Sequence, residues 1–264
     1  MVGGIVTTKI DLYCWSDQCP HNSLARNLLY KLMCKGKYDI SFYDVSKEYD
    51  IAKRMNMYSP TLVVFDNKIR WNGPISLSTI QSIAEGNIPE NKPYKVDLGK
   101  HIIKGNVEML TEKNIFDTCI CCAPSQKTSC CYSKAEWIKQ IRKEFNLPYL
   151  GVLHYYNNKC VGGAEFVPSL AVPYPIIKGK DIAFLTCSYL SGEEHDFRSY
   201  PLKKLEEKLS SLNYKSLVAI VSEYVVFPNG TLNWFKEKGY IDLGEVYYEE
   251  RDFARMHLIK KDLY

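Results

Sequence analysis

Residues 182–190 read IAFLTCSYL, a strongly apolar strand, and the chain then passes through SGEEHDFRSY into the helical pattern PLKKLEEKLSSL. Pro201 suits the first turn of that helix, where its missing N–H costs little. A strand leading through a loop into a helix is the joint from which α/β folds are built. In many of them it holds a phosphate, because the unpaired N–H groups and the dipole at a helix start favour an anion. The loop here carries one glycine, Gly192, where close approach of backbone to phosphate needs several.

The same alternation runs along the chain. KIDLYCW (9–15) reads as a short buried strand, and residues 20–34 carry Leu24, Leu28, Leu29 and Leu32 at helical spacing behind Pro20. ISFYDV (40–45) is a second strand, and 48–56 a short helix. TLVVFD and KIRWNG form a hairpin around Asp66-Asn67. LSTIQSIAEG is a helix ended by Gly86. Residues 89–106 are polar and broken by proline and glycine, as in a linker. A second unit then opens with the strand-turn VEMLTEKNI. In SKAEWIKQIRKEF (133–145), Ser133 reads as an N-cap with Glu136 completing a capping box. GVLHYYNNKCVGGAEFV is a strand pair turning at Asn157-Asn158. IAFLTCSYL, PLKKLEEKLSSL, SLVAIVSEY, NGTLNWFKEKGY and two terminal strands complete a strand–helix–strand–helix series.

Apolar residues make up 46% and charged residues 24% of the 264, so a packed core is expected and bulk disorder is not. The net charge is +4 with acids and bases interspersed, so nucleic acid is not an expected partner. No apolar run reaches the ~18 residues of a membrane span. The opening MVGGIVTTKIDLYCW has no signal-peptide pattern, so a cytoplasmic protein without a membrane partner is expected. In that compartment the ten cysteines are expected as thiols, metal ligands or redox groups instead of a disulfide framework.

In CWSDQCPHN, Cys19 stands directly before a helix, where free N–H groups and the dipole stabilise a thiolate. The βαβαββα order, CysProHisAsn at 19–22 and SerProThr at 59–61 resemble the thioredoxin–glutaredoxin fold. The resemblance implies that Pro60 lies against an active Cys19 thiol. The family's second cysteine is Asn22 here, so no dithiol cycle runs through that position. Single-thiol chemistry remains, with attack by Cys19 and resolution by an outside thiol or by Cys14. The alternative is that Cys19 only starts the helix of a unit that binds a partner or covers the second unit.

In the second unit, CICCAPSQKTSCC (119–131), SKAEWIKQ (133–140), AEFVP (164–168), CSYLSG (187–192) and KGY (238–240) resemble the GNAT acyltransferase superfamily, in particular a bacterial group with a paired-cysteine segment. The resemblance covers nearly the whole unit. It implies a central strand that splays from its neighbour and pairs with the pantetheine arm of acetyl-CoA or another acyl-CoA. Cys187, Ser188, Tyr189 and Leu190 would lie along the arm, with Arg198, Ser199 and Tyr200 at the pyrophosphate. The chain departs from the pattern in two places. The expected glycines fall on Phe197 and Ser199, beside Glu193, Glu194 and Asp196, which His195 and Arg198 offset only in part. The tyrosine that protonates the leaving thiolate is replaced by Phe235, leaving Tyr200 or Tyr224 as stand-ins. Glu165 is the candidate base, by direct contact or through water, and it reads equally as an ordinary exposed strand carboxylate.

Cys119, Cys121, Cys122, Cys130 and Cys131 form a cluster with four readings, the plainest being two or three buried small apolar side chains plus exposed thiols, because free cysteine packs well. Its thiols suit a thiophilic ion such as zinc or Cu(I), although the spacing matches structural zinc sites poorly. They equally suit a disulfide or redox role, or contact with the acceptor. No residue is assigned as a metal ligand.

The sequence thus predicts an α/β protein: an N-terminal thioredoxin-like domain (1–88), a linker (89–106) and a C-terminal GNAT-like mixed-sheet domain (107–264). The leading function is acyl-CoA-dependent transfer to an amine of a small molecule or peptide, with Glu165 and Cys19 as catalytic candidates. One alternative is a thiol-redox or thiol-conjugate-handling protein using Cys19. Another is a non-catalytic thiophilic-metal or partner-binding protein.

Overall fold

The computed structural model describes residues 8–90, 99–118, 129–190, 194–224 and 229–264. Its first sheet has the order β2-β1-β3-β4, from β1 (Lys9–Cys14), β2 (Asp39–Asp44), β3 (Thr61–Phe65) and β4 (Ile69–Asn72). β1 and β2 are parallel, so they need a crossover, which α1 (Pro20–Met33) supplies. β3 runs antiparallel to both β1 and β4. The tight β3–β4 hairpin is made by Asp66 and Asn67 at φ +47° and +57°, a backbone that Asp and Asn tolerate. Two further helices, α2 (Tyr49–Arg54) and α3 (Leu77–Ala84), complete the unit. The Ser76 hydroxyl caps α3 by accepting from the Thr79 N–H.

The second sheet has seven strands in the order β10-β11-β9-β8-β7-β6-β5. They are β5 (Asn106–Met109), β6 (Gly151–Tyr156), β7 (Lys159–Pro168), β8 (Ile182–Leu190), β9 (Ser216–Ser222), β10 (Ile241–Glu249) and β11 (Ala254–Asp262). Neighbours are antiparallel, except β8 and β9, which are parallel and joined through α5 (Ser199–Ser211). α4 (Ser129–Glu144) precedes β6, and α6 (Leu232–Glu237) precedes β10. α4 begins four residues before the expected cap, so Ser133 lies within the helix. Cys130 and Cys131 are fully buried in its first turn, with Leu24 of α1 packed on them. Burial of that turn outweighs the local capping signal.

Period-two alternation divides the apolar residues between layers. Ala164, Phe166, Ala183, Leu185, Leu217 and Ala219 face α5 and α6. Leu153, Val167, Phe184, Val218 and Ile220 face the other way, toward Trp137, Ile138 and Ile141 of α4. That second layer continues without a break into Tyr13, Trp15, Tyr58, Leu62 and Val64 of the first unit. Trp15 is its centre, edge-on to Trp137 and Tyr174 at 6.0 and 5.3 Å between ring centroids. At the rim, both Glu249 carboxylate oxygens accept from Arg70 Nε, at 3.1 and 2.9 Å. Among the described residues, no helix is long and apolar enough to cross a membrane.

Candidate functional site

β8 and β9 pair only from Ile182–Leu185 to Ser216–Ala219, and beyond that they part into a fork. The fork exposes strand N–H and C=O groups that need partners. Asn229 supplies them. Its Oδ1 accepts from the Ser188 N–H at 3.2 Å, and its Nδ2 donates to the Ile220 and Leu185 carbonyls at 3.1 and 3.4 Å. Arg198 is buried behind it, donating to the Asn229 carbonyl and, at 3.3 Å, to the Ser188 hydroxyl. Its guanidinium stacks 4.6 Å above the Trp234 ring, and burial lowers its pKa to about 10. Gly230 allows this: at φ +117°, a Cβ there would stand 2.6 Å from the guanidinium nitrogens.

The start of α5 is also occupied. Asp196 Oδ1 accepts from the Arg198 and Ser199 N–H groups at 3.0 and 2.8 Å, and its Oδ2 accepts from the Ser199 hydroxyl. The chain's own carboxylate thus sits where an anion would dock. Ser199 and Tyr200 border a cavity of about 340 Å³ that is also lined by Lys104, Lys203, Lys238 and Lys261. Tyr189 turns to the opposite face, its ring over Gly163, where a Cβ would come within 2.5 Å. The Leu190 side chain and residues 191–193 lie outside the described residues.

On that opposite face Glu165 is buried, which excludes the exposed-carboxylate reading. Its Oε2 accepts from Lys134 Nζ at 2.7 Å, and both side chains are almost fully enclosed. Lys134 also donates to the Gln18 carbonyl and lies 4.7 Å from the Trp137 ring centroid. Cys19 follows Gln18 and is half-buried. Directly across the β7–β8 ladder from Glu165 is Cys187. Tyr174 is buried beside them, and its hydroxyl has no hydrogen-bond partner among the described residues. Burial, then the nearby Cys19 and Cys14 thiols, push its pKa well above the usual tyrosine value.

The thiol itself departs from expectation. Burial pushes Cys19 up to about 12, although the His21 N–H and the Lys134 charge act the other way. Desolvation outweighs the helix start, so the thiol form prevails at neutral pH. Cys14 is free, buried on the α1 side of the first sheet, and likewise pushed by burial to about 12. Asn22, in place of a second thiol, is a clamp. It donates to the Trp15 and Ser16 carbonyls at 3.1 and 2.9 Å and accepts from the Thr61 hydroxyl.

The expected site residues therefore fall into two groups. Ser188, Arg198 and Ser199 gather at the fork and the α5 start, whereas Glu165, Cys187 and Cys19 gather below the sheet. Tyr224 is exposed and Phe235 is core, and neither belongs to the lower group. Sequence reasoning missed Lys134, Tyr174 and Asn229. Lys134 had a signal: it lies three, four and seven positions before Trp137, Ile138 and Ile141, a charge on an apolar stripe. Cys119, Cys121 and Cys122 lie outside the described residues. Cys131 is disulfide-bonded, whereas Cys130 keeps its thiol. Among the described residues, no three His, Cys, Asp or Glu side chains are grouped to hold a metal ion.

No protein-family model and no curated protein matches the chain. Solved structures that align with about 60% of its length include several N-acetyltransferases. Ard1 from Thermoplasma volcanium is 12% identical, with a TM-score of 0.44, covering 61% of this chain and 99% of its own. The aminoglycoside 6'-N-acetyltransferase from Enterococcus faecium is 10% identical, with a TM-score of 0.44, covering 60% and 97%. The paia N-acetyltransferase from Thermoplasma acidophilum, in complex with coenzyme A, is 12% identical, with a TM-score of 0.39, covering 61% and 99%. At this level the likeness assigns neither activity nor substrate.

Proposed function

We propose that the chain is an acyl-CoA-dependent acyltransferase working at the β8/β9 fork, with an amine of a small molecule or peptide as the final acceptor. One observation carries the reading: strand groups at the fork are bridged by a side-chain amide. The pantetheine arm of an acyl-CoA is itself built of amides. The arm has two such amides, whose two N–H donors and carbonyl acceptors match in number the two carbonyls and one N–H that Asn229 now holds, so exchange can keep these three strand groups paired at low cost. The Asp196 carboxylate keeps the start of α5, so the phosphates lie further out, in the cavity lined by Lys104, Lys203 and Lys238. Glu165 is the base below the fork, poised by Lys134. The strand order β2-β1-β3-β4 and Cys19-Pro20 at a helix start support a thioredoxin-like first domain, which here covers the acceptor side.

The test is calorimetric titration of the reduced protein with acetyl-CoA and with CoA. Saturable one-to-one binding, weakened when Lys203 and Lys238 are changed to glutamate, is the expected result. No heat of binding at millimolar ligand would leave the fork a closed structural joint and end the acyltransferase reading.

A further inference from the structure

The base below the fork is not open to an outside amine. Glu165 and Lys134 are buried, and so is Gln18, whose carbonyl accepts from Lys134. Cys19, the next residue, retains partial exposure. Of these two groups, Cys19 is the one with surface open to an acceptor arriving from solvent. Lys134 and Glu165 lie close enough for their charges to act on Cys19, and Cys19 acts in turn on the buried Tyr174 hydroxyl, which has no hydrogen-bond partner among the described residues. An enclosed donor without an acceptor is costly unless something it meets during function accepts from it.

We propose that Cys19 is a covalent acyl acceptor, taking the acyl group from the thioester at the fork and passing it to the amine. The inference rests on the acyl-CoA reading above. In the first step the Cys19 sulfur attacks the thioester carbon, and its proton goes to the Glu165 carboxylate. The Tyr174 hydroxyl donates to the oxygen as it gains charge. The carbon–sulfur bond to CoA breaks, and the proton held on Glu165 leaves with the CoA sulfur. In the second step the amine attacks the S-acyl carbon, the bond to Cys19 breaks, and a proton from the amine returns to the Cys19 sulfur. The balance is acyl-CoA plus amine to amide plus CoA, with no oxidant or reductant. Burial keeps Cys19 protonated at neutral pH, so attack depends on Glu165 taking the proton.

The experiment incubates the reduced full chain with acetyl-CoA and no amine. Released CoA is read with a thiol reagent, and the protein by intact mass and peptide mapping. The expected result is stoichiometric CoA release, with one acetyl group on Cys19 that neutral hydroxylamine removes. Cys19→Ser is expected to lose both signals while still binding acetyl-CoA by calorimetry. Cys34→Ser, at the exposed end of α1, is expected to keep both. Binding without acetylation, or an acetyl group on any other residue, overturns the Cys19 role and leaves the fork reading standing. Absence of acetyl-CoA binding to the unmodified protein overturns both.

Discussion

Replacing Lys134 by methionine isolates the energetics of the enclosed ion pair. The nitrogen–oxygen distance is 2.7 Å and both side chains are almost fully enclosed. With charge centres ~4 Å apart and an effective dielectric constant of about 20, the attraction is about 4 kcal/mol. Desolvation of both ions offsets much of this, so the pair contributes little net stability. Removing one partner is different, because it leaves Glu165 buried without a counter-charge and the Gln18 carbonyl without its donor. The expected loss is roughly 3–5 kcal/mol. Methionine keeps the apolar stem on Trp137, so the loss reports charge more than packing. Lys134→Met combined with Glu165→Leu should regain most of it, to within about 1–2 kcal/mol of the parent. Urea unfolding of the four proteins gives the cycle directly. A single-variant loss below about 1 kcal/mol, or a double variant no more stable than the single, would refute the buried, mutually compensated pair.

Three further expectations concern the fork, the thiols and the shared core. Asn229→Gly removes the amide that competes with the pantetheine arm and should tighten acetyl-CoA binding by about tenfold, the equivalent of roughly 1.4 kcal/mol; calorimetry showing weaker binding would mean that Asn229 shapes the fork instead of guarding it. Cys14 and Cys19 are held near 12, above the unfolded thiol value of about 8.5. Their contribution to stability is therefore complete below about pH 8.5 and lost progressively as pH rises toward 12. Iodoacetamide labelling of the native thiols should keep accelerating through pH 9, whereas a plateau near neutrality would reveal a thiolate. Trp15→Ala, at the centre of the shared core, should cost about 3–5 kcal/mol in urea unfolding.

Local features of the fold were legible because their signals are local. Pro20 opens α1, Gly86 and Gly239 follow α3 and α6 with positive φ, and the Asx pairs at 66–67 and 157–158 turn their hairpins. Each strand declared itself by composition or alternation. The start of α4 was misplaced because Ser133 and Glu136 make a valid capping signal. Only the burial of Cys130 and Cys131 against another element overrides it. The site was half legible. Glu165 and Cys19 stood out by motif, but nothing local says that Lys134 joins them, since its partners are 31 and 116 positions away. Asn229 reaches Ser188 across 41 positions. Tyr174 sits between prolines in VPYPI, without a period to read. Thiolate character was inferred from the helix start alone, and desolvation, which depends on the second unit covering it, reversed the sign.

The layer that runs unbroken from Tyr13 and Trp15 into Phe184 and Ile220 means that the two sheets share one hydrophobic interior. Cutting the chain in the 89–106 segment would not release two self-sufficient halves. It would strip Trp15 and Tyr58 on one side, and Trp137, Tyr174 and Phe184 on the other, of the partners that keep them from water. Each fragment would carry an adhesive aromatic face, and each would associate with itself or with the other half. Mixed in equal amounts, the fragments should reassemble, much as a split reporter does. In heating, the intact chain should melt in a single step despite its two sheets.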